Sequence, residues 1–189
     1  MRLFVAIDIG DVVRAEVARA RATIQGRLEA VAHPPRVAWV APVSLHLTLR
    51  FLGEVADTAV PALRDLLADP FELAPFEIEW RGLGAFPLPR HPKALWMGVV
   101  SGAALLGRLE AEVSKRLDGA IDAEPGPFRP HLTIGRVKAP GAGIDWVEML
   151  ESVDVRGARS LVDHVTLYQS KLSAKGPQYT GLVKAPLLR

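Results

Sequence analysis

Alternating and helical patterns of hydrophobic residues divide the chain into a succession of strands and helices. Residues 2–8 form a run rich in Phe, Val and Ile that stops at Asp8, which is typical of a buried strand. From Asp11, apolar residues recur at helical spacing with arginines between them, until Pro34 and Pro35 end the pattern. The same reasoning predicts strands at 2–8, 37–40, 45–52, 76–81, 94–100, 130–134, 153–155, 161–169 and 179–184, and helices at 11–32, 57–68, 103–117 and 144–150.

This order of elements predicts an α+β fold built mainly from antiparallel sheet. Two of the strands, 45–52 and 130–134, each follow a helix and a proline-containing approach, which suggests two related lobes and an old duplication. Outside these strands the two halves of the sequence are not visibly alike. We expect residues 1–189 to form a single bilobal domain.

These two strands carry nearly the same five residues. Leu45-His46-Leu47-Thr48-Leu49 returns as Pro130-His131-Leu132-Thr133-Ile134. Because side chains alternate along a strand, we expect the aliphatic positions in the core, with Phe51 beside them, and the histidine, the threonine and Arg50 on the opposite face. A histidine and a threonine two residues apart are separated by roughly 6 to 7 Å, a span suited to holding a small anion.

Two such strands side by side would place two histidines and two threonines around one phosphate. Each imidazole could then accept or donate a proton near neutral pH. A single His-x-Thr is more often part of a solvated sheet face, but the chain holds only 5 His, and a second copy with matching aliphatic neighbours is rare by chance. The candidate catalytic residues are therefore His46, Thr48, His131 and Thr133.

Two further features near these copies bear on the site. Asp163-His164-Val165-Thr166-Leu167 is a third match to the pattern; since the chemistry needs one acid and one base, one copy is a decoy or a helper. Arg136 follows the second copy, and strict alternation from His131 puts it on the wrong face. A β-bulge at Gly135 would return Arg136 to the face of the histidine.

The stretch from Gly84 to Lys93 is too rich in proline for regular structure, so we expect a loop there. It carries Arg90, His91 and Lys93. One interpretation is a surface crossover with solvated charges, and the other is a basic lip that touches RNA phosphates. Residues 170–178 are expected to form a lysine-bearing hairpin loop.

Composition narrows the class of protein. With 49% hydrophobic and 23% charged residues, a chain of 189 residues can bury a sizeable core. A net charge of only +2 gives no large basic field of the kind that tracks long duplexes. The absence of cysteine excludes disulfides, thiolate catalysis and Cys-ligated metal sites, and is consistent with a reducing cytoplasm. The N-terminal apolar run meets Asp8 too early for a signal or a membrane span, so we expect a soluble cytoplasmic protein.

Five stretches spread over nearly the whole chain are similar to those of one protein family. They are Leu3-Phe4-Val5-Ala6-Ile7-Asp8, His46 to Glu54 with Leu45 before it, Gly84-Ala85-Phe86-Pro87 with Leu95-Trp96, Arg129 to Arg136, and Leu167-Tyr168-Gln169-Ser170. On these residues the chain resembles the 2H phosphoesterase superfamily, and within it the RNA 2′,3′-cyclic phosphodiesterases, also called the 2′-5′ RNA ligase family. The one departure is Gly135, where that family usually has Ala.

The resemblance implies a bilobal α+β fold in which two mainly antiparallel sheets form a central cleft with helices packed outside. It implies chemistry that needs no metal and no cofactor, with the two His-x-Thr pairs as the catalytic core and Arg136 contacting the substrate phosphate. In that family the product keeps the 2′-phosphate, and the resemblance implies His46 as the acid and His131 as the base. His164 matches no motif of the family, so the third copy is interpreted as a coincidence on a sheet surface.

The expected partner is an RNA with a 2′,3′-cyclic phosphate end, such as a tRNA fragment, and we expect a monomer that does not bind membranes. Within the same superfamily the substrate could instead be a small cyclic nucleotide or ADP-ribose cyclic phosphate, or the reaction could be 2′-5′ joining of RNA ends. A non-catalytic module that binds RNA ends is an alternative of another class, although binding alone would not need an acid and a base. A histidine-ligated metal hydrolase is disfavoured because the chain lacks His-x-x-x-His and His-Glu pairings.

Overall fold

Two antiparallel β-sheets form the frame of the structure, a computed structural model that describes residues 1–87, 91–121, 126–173 and 176–188. The strands are β1 (Arg2–Asp8), β2 (Arg36–Trp39), β3 (His46–Glu54), β4 (Phe76–Phe86), β5 (Ala94–Ser101), β6 (His131–Ala139), β7 (Ala158–Val162), β8 (His164–Ser173) and β9 (Gly176–Pro186). The helices are α1 (Asp11–Glu29), α2 (Val60–Leu66), α3 (Ala103–Arg116) and α4 (Trp146–Glu151). Short 3₁₀ turns at Pro42–Ser44 and Asp57–Ala59 precede β3 and α2.

The first sheet has the strand order β3-β1-β8-β9 and the second has the order β2-β6-β5-β4-β7. Neighbouring strands in both sheets run antiparallel. The predicted α+β class with mainly antiparallel sheet is confirmed, as is the predicted order of strands and helices from β1 to α4.

Neither sheet is a continuous piece of the chain. The first sheet combines strands from both ends of the sequence. Strand β2 joins the second sheet although β1 and β3 belong to the first, and β7 pairs with β4 and not with its sequence neighbours β6 and β8. The helices cross over as well, because α1 follows a strand of the first sheet but contacts β7, and α3 follows a strand of the second sheet but contacts β3. As a result β3 and β6, the two strands that carry the repeated motif, lie against each other although they belong to different sheets.

One continuous hydrophobic core joins the two sheets and the helices. Helix α1 shows how the sequence builds it, since its buried apolar residues recur every three or four positions at Val13, Val17, Ala20, Ile24 and Leu28. Burying a side chain such as Ile24 stabilises the fold by about 1.5 to 3 kcal/mol. No helix of the described ranges is long and apolar enough to cross a membrane.

The ends of α1 and β4 differ from the predictions. Helix α1 ends at Glu29, three residues before the predicted end, with Ala30 as its C-cap. Strand β4 does not stop at Arg81 but continues to Phe86, so that the first three residues of the predicted proline-rich loop pair with β5. The loop was predicted from the prolines that follow Phe86. The backbone groups of Gly84–Phe86 nevertheless form hydrogen bonds with β5, which makes this segment a strand. Arg90 of the predicted basic lip lies outside the described residues.

Three predictions in the C-terminal half are wrong. The predicted strand 161–169 divides at Asp163, because the chain passes there from the second sheet to the first. Residues 153–155 form no strand; Val153 and Val155 are buried in an irregular segment, so their spacing reflects burial rather than pairing. Most of the predicted hairpin loop is strand, since Ser170–Ser173 pairs with 176–179.

Candidate active site

The pairing of β6 with β5 places Arg136 on the same face as the second His-x-Thr pair. The three residues lie opposite every second residue of β5, with His131 opposite Gly98, Thr133 opposite Trp96 and Arg136 opposite Ala94. This spacing arises because the register shifts by one residue between Thr133 and Gly135, which is a β-bulge. The predicted bulge next to Gly135 is confirmed. A Cβ at Gly135 would lie 2.9 Å from Cγ1 of Val37, so the close approach of β2 explains why this chain has glycine there.

The same irregularity occurs at the same place in β3. His46, Thr48 and Phe51 lie opposite Asp8, Ala6 and Phe4, which are alternate residues of β1. The extra residue is Leu49, three positions after the histidine, just as Ile134 is in β6. Phe51 therefore has the position in the first copy that Arg136 has in the second.

This bulge overturns the prediction for the two residues after Leu49. Strict alternation put Arg50 beside His46 and Phe51 in the core, but Arg50 is 8% exposed and Phe51 is 59% exposed. The side chain of Arg50 turns towards α3, where its Nη1 donates to Oγ of Ser114 at 3.5 Å. The face that carries His46 thus presents an aromatic ring and not a second guanidinium.

Both histidines are fixed by the same backbone contact. Nδ1 of His46 lies 2.8 Å from the carbonyl oxygen of Ser44, and Nδ1 of His131 lies 2.6 Å from the carbonyl oxygen of Arg129. A carbonyl only accepts hydrogen bonds, so Nδ1 carries the proton in both rings. Nε2 of each histidine is then free to act as a base when the ring is neutral and as an acid when it is protonated.

Aromatic rings hold the two imidazoles in place. The His46 ring lies 4.7 Å from the Phe4 ring and 5.1 Å from the Tyr179 ring, which meets it edge-on. The His131 ring meets Phe86 edge-on at 5.3 Å. Such contacts restrict the rotation of an imidazole and contribute about 0.5 to 1.5 kcal/mol each.

The position of Phe86 depends on a close approach between β4 and β5. The ring of Trp96 lies 5.0 Å from that of Phe86 and passes directly over Gly84, where a Cβ would come within 2.2 Å of the indole. The Gly84 to Phe86 segment, predicted as part of a loop, is therefore a strand that supports His131.

The positive charge of Arg136, in the second sheet, changes the pKa of two residues in the first sheet. The pKa of His46 is lowered, chiefly because burial disfavours the charged ring, and the positive charge of Arg136 lowers it further. The carbonyl of Ser44 and the negative charge of Asp8 act in the opposite direction. Arg136 also lowers the pKa of Tyr179, although burial raises that pKa overall. The guanidinium on β6 thus acts on two residues of the first sheet.

The third His-x-Thr copy has a different environment from the one we expected. His164 is not a solvated surface residue, since its side chain is 17% exposed and both ring nitrogens contact carboxylates. Nε2 lies 2.8 Å from Oδ2 of Asp8, and Nδ1 contacts Oδ1 of Asp163. Because β8 pairs with β1, His164 lies in the same sheet as His46, with Asp8 between them.

Several residues near the site were not among the predicted site residues. They are Phe4, Asp8, Phe51, Phe86, Tyr168 and Tyr179. The signal for Asp8 was present, as a carboxylate directly after the apolar residues 3–7 of a strand. His91 and Lys93 of the predicted basic lip are exposed, and their role stays a prediction. Within the described residues no group of three or more His, Cys, Asp or Glu side chains is arranged to hold a metal ion.

Comparison with known protein families gives a match over most of the chain. The sequence model of the 2′-5′ RNA ligase superfamily matches residues 10–173. The RNA 2′,3′-cyclic phosphodiesterase of Archaeoglobus fulgidus is 34% identical over 182 residues, which cover 96% of this chain and 98% of the relative. The protein of the same name from Thermus thermophilus is 34% identical over 199 residues, covering 99% of this chain and 90% of the relative.

Solved structures agree with the sequence comparisons. The crystal structure of TT0787 of Thermus thermophilus superposes with a TM-score of 0.74 at 34% identity, covering 99% of this chain and 98% of that one. The structure of Escherichia coli LigT complexed with NADP⁺ superposes with a TM-score of 0.70 at 28% identity, covering 100% and 98% of the two chains.

Proposed function

Because the chain belongs to the 2′-5′ RNA ligase superfamily, we propose that it is an RNA 2′,3′-cyclic phosphodiesterase that hydrolyses cyclic phosphate ends to 2′-phosphomonoesters. The observation that carries this proposal is the matched pair of imidazoles. Each is held through Nδ1 by a carbonyl two residues before it, and each leaves Nε2 for proton transfer. The relatives named RNA 2′,3′-cyclic phosphodiesterase support the substrate class.

The reaction needs two proton transfers on opposite sides of the phosphorus. One neutral imidazole accepts the proton of a water whose oxygen forms the new P–O bond. The other imidazole, protonated, donates to the 3′ oxygen as the P–O3′ bond breaks, which leaves a 2′-phosphate and a free 3′-hydroxyl. Two histidines on strands that lie against each other meet this requirement without metal or cofactor.

The remaining polar residues of the two faces stabilise the charge that gathers on the non-bridging oxygens. The hydroxyls of Thr48 and Thr133 lie on the histidine faces of β3 and β6. Arg136 adds a positive charge whose planar fork suits a phosphate. Phe51, exposed on the same face as His46, offers its ring for stacking against a base.

The roles of the two histidines can be separated with a modified substrate. Burial favours neutral His46 in the free protein, which is the form of a base, whereas family resemblance assigns it the role of acid. In a cyclic phosphate with sulfur in place of the 3′ oxygen, the thiolate leaves without needing a proton. Only the variant that lacks the acid should therefore regain activity on this substrate.

The proposal is tested by incubating the purified protein with EDTA and an RNA that ends in a 2′,3′-cyclic phosphate. We expect complete conversion to a 2′-phosphate, identified by ³¹P NMR or by mass with phosphatase treatment. Activity that is lost with chelator and restored by zinc or manganese would contradict metal-independent chemistry. Tight binding without turnover would favour a module that binds RNA ends.

A parallel series separates the substrates and directions within the superfamily. The same assay is run on mononucleotide 2′,3′-cyclic phosphates and ADP-ribose cyclic phosphate, and on cyclic-ended RNA mixed with RNA that has a 5′-hydroxyl. We expect the RNA end to be hydrolysed with the higher kcat/KM. Accumulation of 2′-5′ joined product in place of the 2′-phosphate would show that ligation is the favoured reaction.

A further inference from the structure

Asp8 lies between two histidines in neighbouring strands of the first sheet. On one side it is the cross-strand partner of His46 on β3. On the other side its carboxylate meets β8, where Oδ2 lies 2.8 Å from Nε2 of His164 and Oδ1 accepts from the hydroxyl of Tyr168 at 2.5 Å. Both oxygens of the carboxylate are therefore held from β8, and the charge has a fixed position beside β3.

The geometry shows which charges these groups carry. Both nitrogens of His164 contact carboxylates, those of Asp8 and Asp163, and an ionised carboxylate only accepts hydrogen bonds. The ring therefore carries two protons and a positive charge. In agreement with this, the hydrogen bond to Asp8 raises the pKa of His164, and the hydrogen bond from His164 lowers the pKa of Asp8.

Asp8 acts on His46 through space and not by a hydrogen bond. Nδ1 of His46 is bound to the carbonyl of Ser44, and the ring packs on Phe4. Burial makes protonation of this imidazole unfavourable, and Arg136 on β6 adds to that effect. The carboxylate of Asp8 is the negative charge that opposes them.

We propose that Asp8, clamped by His164 and Tyr168, is a positioning residue for His46: its fixed carboxylate stabilises the protonated imidazole at the moment when His46 holds a proton in the reaction. The third His-x-Thr copy is then a support for the site rather than a chance match. The part of this inference that concerns catalysis rests on the proposed function. The effect of Asp8 on the pKa of His46 is a property of the free protein and does not depend on the reaction.

The groups that face this cluster come from every neighbouring element. His46 is faced by Asp8 from β1, Tyr168 from β8, Tyr179 from β9 and Arg136 from β6. Asp8 is faced by His164 and Tyr168, and by the positive charge of Lys184 on β9. Arg14 of α1 acts on Tyr168. His164 is also faced by Asp163, the residue before it, so the cluster contains two carboxylates, Asp8 and Asp163, and two cations, His164 and Lys184.

The test is an NMR titration of the His46 ring in the free protein, with the unfolding temperature of each variant measured alongside. Asp8→Asn should lower the pKa of His46 by about half a pH unit, the interaction of unit charges in adjacent strands under near-aqueous screening. Tyr168→Phe removes a hydrogen bond that holds the carboxylate of Asp8 without changing any charge, and should lower the pKa of His46 by a smaller amount. Asp65→Asn, which removes a charge from the exposed face of α2, should leave it unchanged.

These shifts distinguish a positioning role from a structural one. If Asp8 and Tyr168 only hold the sheet together, both variants will lower the unfolding temperature without moving the pKa of His46, and that result would overturn the inference. If Asp8→Asn does not fold, the pKa of His46 in Tyr168→Phe decides the question, and an unchanged value overturns the inference. An inactive parent protein on cyclic phosphates would contradict the proposed function, while the titration would still decide the role of Asp8.

Discussion

Replacing Arg136 with methionine should have two measurable effects, one on the rate and one on its pH dependence. Arg136→Met removes a guanidinium that shares its face with His131 and Thr133 and acts electrostatically on His46. Two unit charges 4 Å apart near a protein surface interact by about 4 kcal/mol, which bounds the loss. Removal of one donor to a transition-state oxyanion costs about 10² to 10³ in rate, or about 2.7 to 4 kcal/mol. We therefore expect kcat/KM on a cyclic-ended RNA to fall by about 10²-fold or more.

The second effect of this variant concerns the pH dependence of the rate. The positive charge of Arg136 helps to lower the pKa of His46, so its removal should raise that pKa. The limb of the pH–rate profile that belongs to His46 should then move to higher pH. Arg136→Lys keeps the charge and loses the planar fork, so it should restore the position of the limb but only part of the rate.

Lys138→Met is the matched control, since Lys138 is an exposed cation of the same strand, two residues farther from His131. It should keep the rate within a few-fold of the parent. If Arg136→Met keeps the parent rate, or if Lys138→Met loses as much, the guanidinium is not bound to the reacting phosphate and the reasoning from the bulge fails.

Three further predictions concern the two threonines, Phe51 and the Asp8–His164 pair. Thr48→Val and Thr133→Val should each raise the barrier by about 2 to 4 kcal/mol, measured as kcat, and parent-like turnover in both would show that the hydroxyls do not contact the phosphate. Phe51→Ala should raise KM for a substrate with a base, by an amount within the roughly 1 to 3 kcal/mol of base stacking, and an unchanged KM would remove Phe51 from the binding surface. For the Asp8–His164 pair, the pKa of Asp8 is lowered in the folded protein, so the stabilisation from Asp8 is present above its unfolded-state pKa and is lost as the pH falls through its folded-state pKa. The pKa of His164 is raised in the folded protein, so the stabilisation from His164 is present below its unfolded-state pKa and is lost as the pH rises through its folded-state pKa. The difference in unfolding free energy between the parent and Asp8→Asn should thus be largest between these limits, and a difference independent of pH would contradict the ion pair.

The sequence was informative where a pattern repeats and less so where the structure departs from regular alternation. His46 and His131 could be found because two strands carry the same residues with the same neighbours. The bulge after Thr133 could be proposed because Arg136 otherwise lay on the wrong face. The equivalent bulge after Thr48 had no such signal, since Arg50 already stood in the alternating position, and the exchange of Arg50 for Phe51 was missed.

The long-range arrangement was beyond reach for a different reason. Nothing local indicates that β2 joins the second sheet or that β7 pairs with β4, because those choices depend on which edges remain unpaired after the whole chain has folded. For the same reason the contacts of His164 with Asp8 could not be foreseen, since they join residues 156 positions apart. His164 matches no family motif that would have pointed to Asp8, and only the pairing of β1 with β8 brings the two together.

The central claim is that His46 and His131 act as an acid and base pair on a cyclic phosphate. Its most direct test is the pH dependence of kcat/KM on an RNA with a 2′,3′-cyclic end, measured in EDTA for the parent, His46→Ala and His131→Ala. We expect a bell-shaped profile for the parent and, for each variant, a rate lower by about 10² to 10⁴ with one limb of the bell missing. A variant that keeps both limbs and the parent rate would contradict the claim.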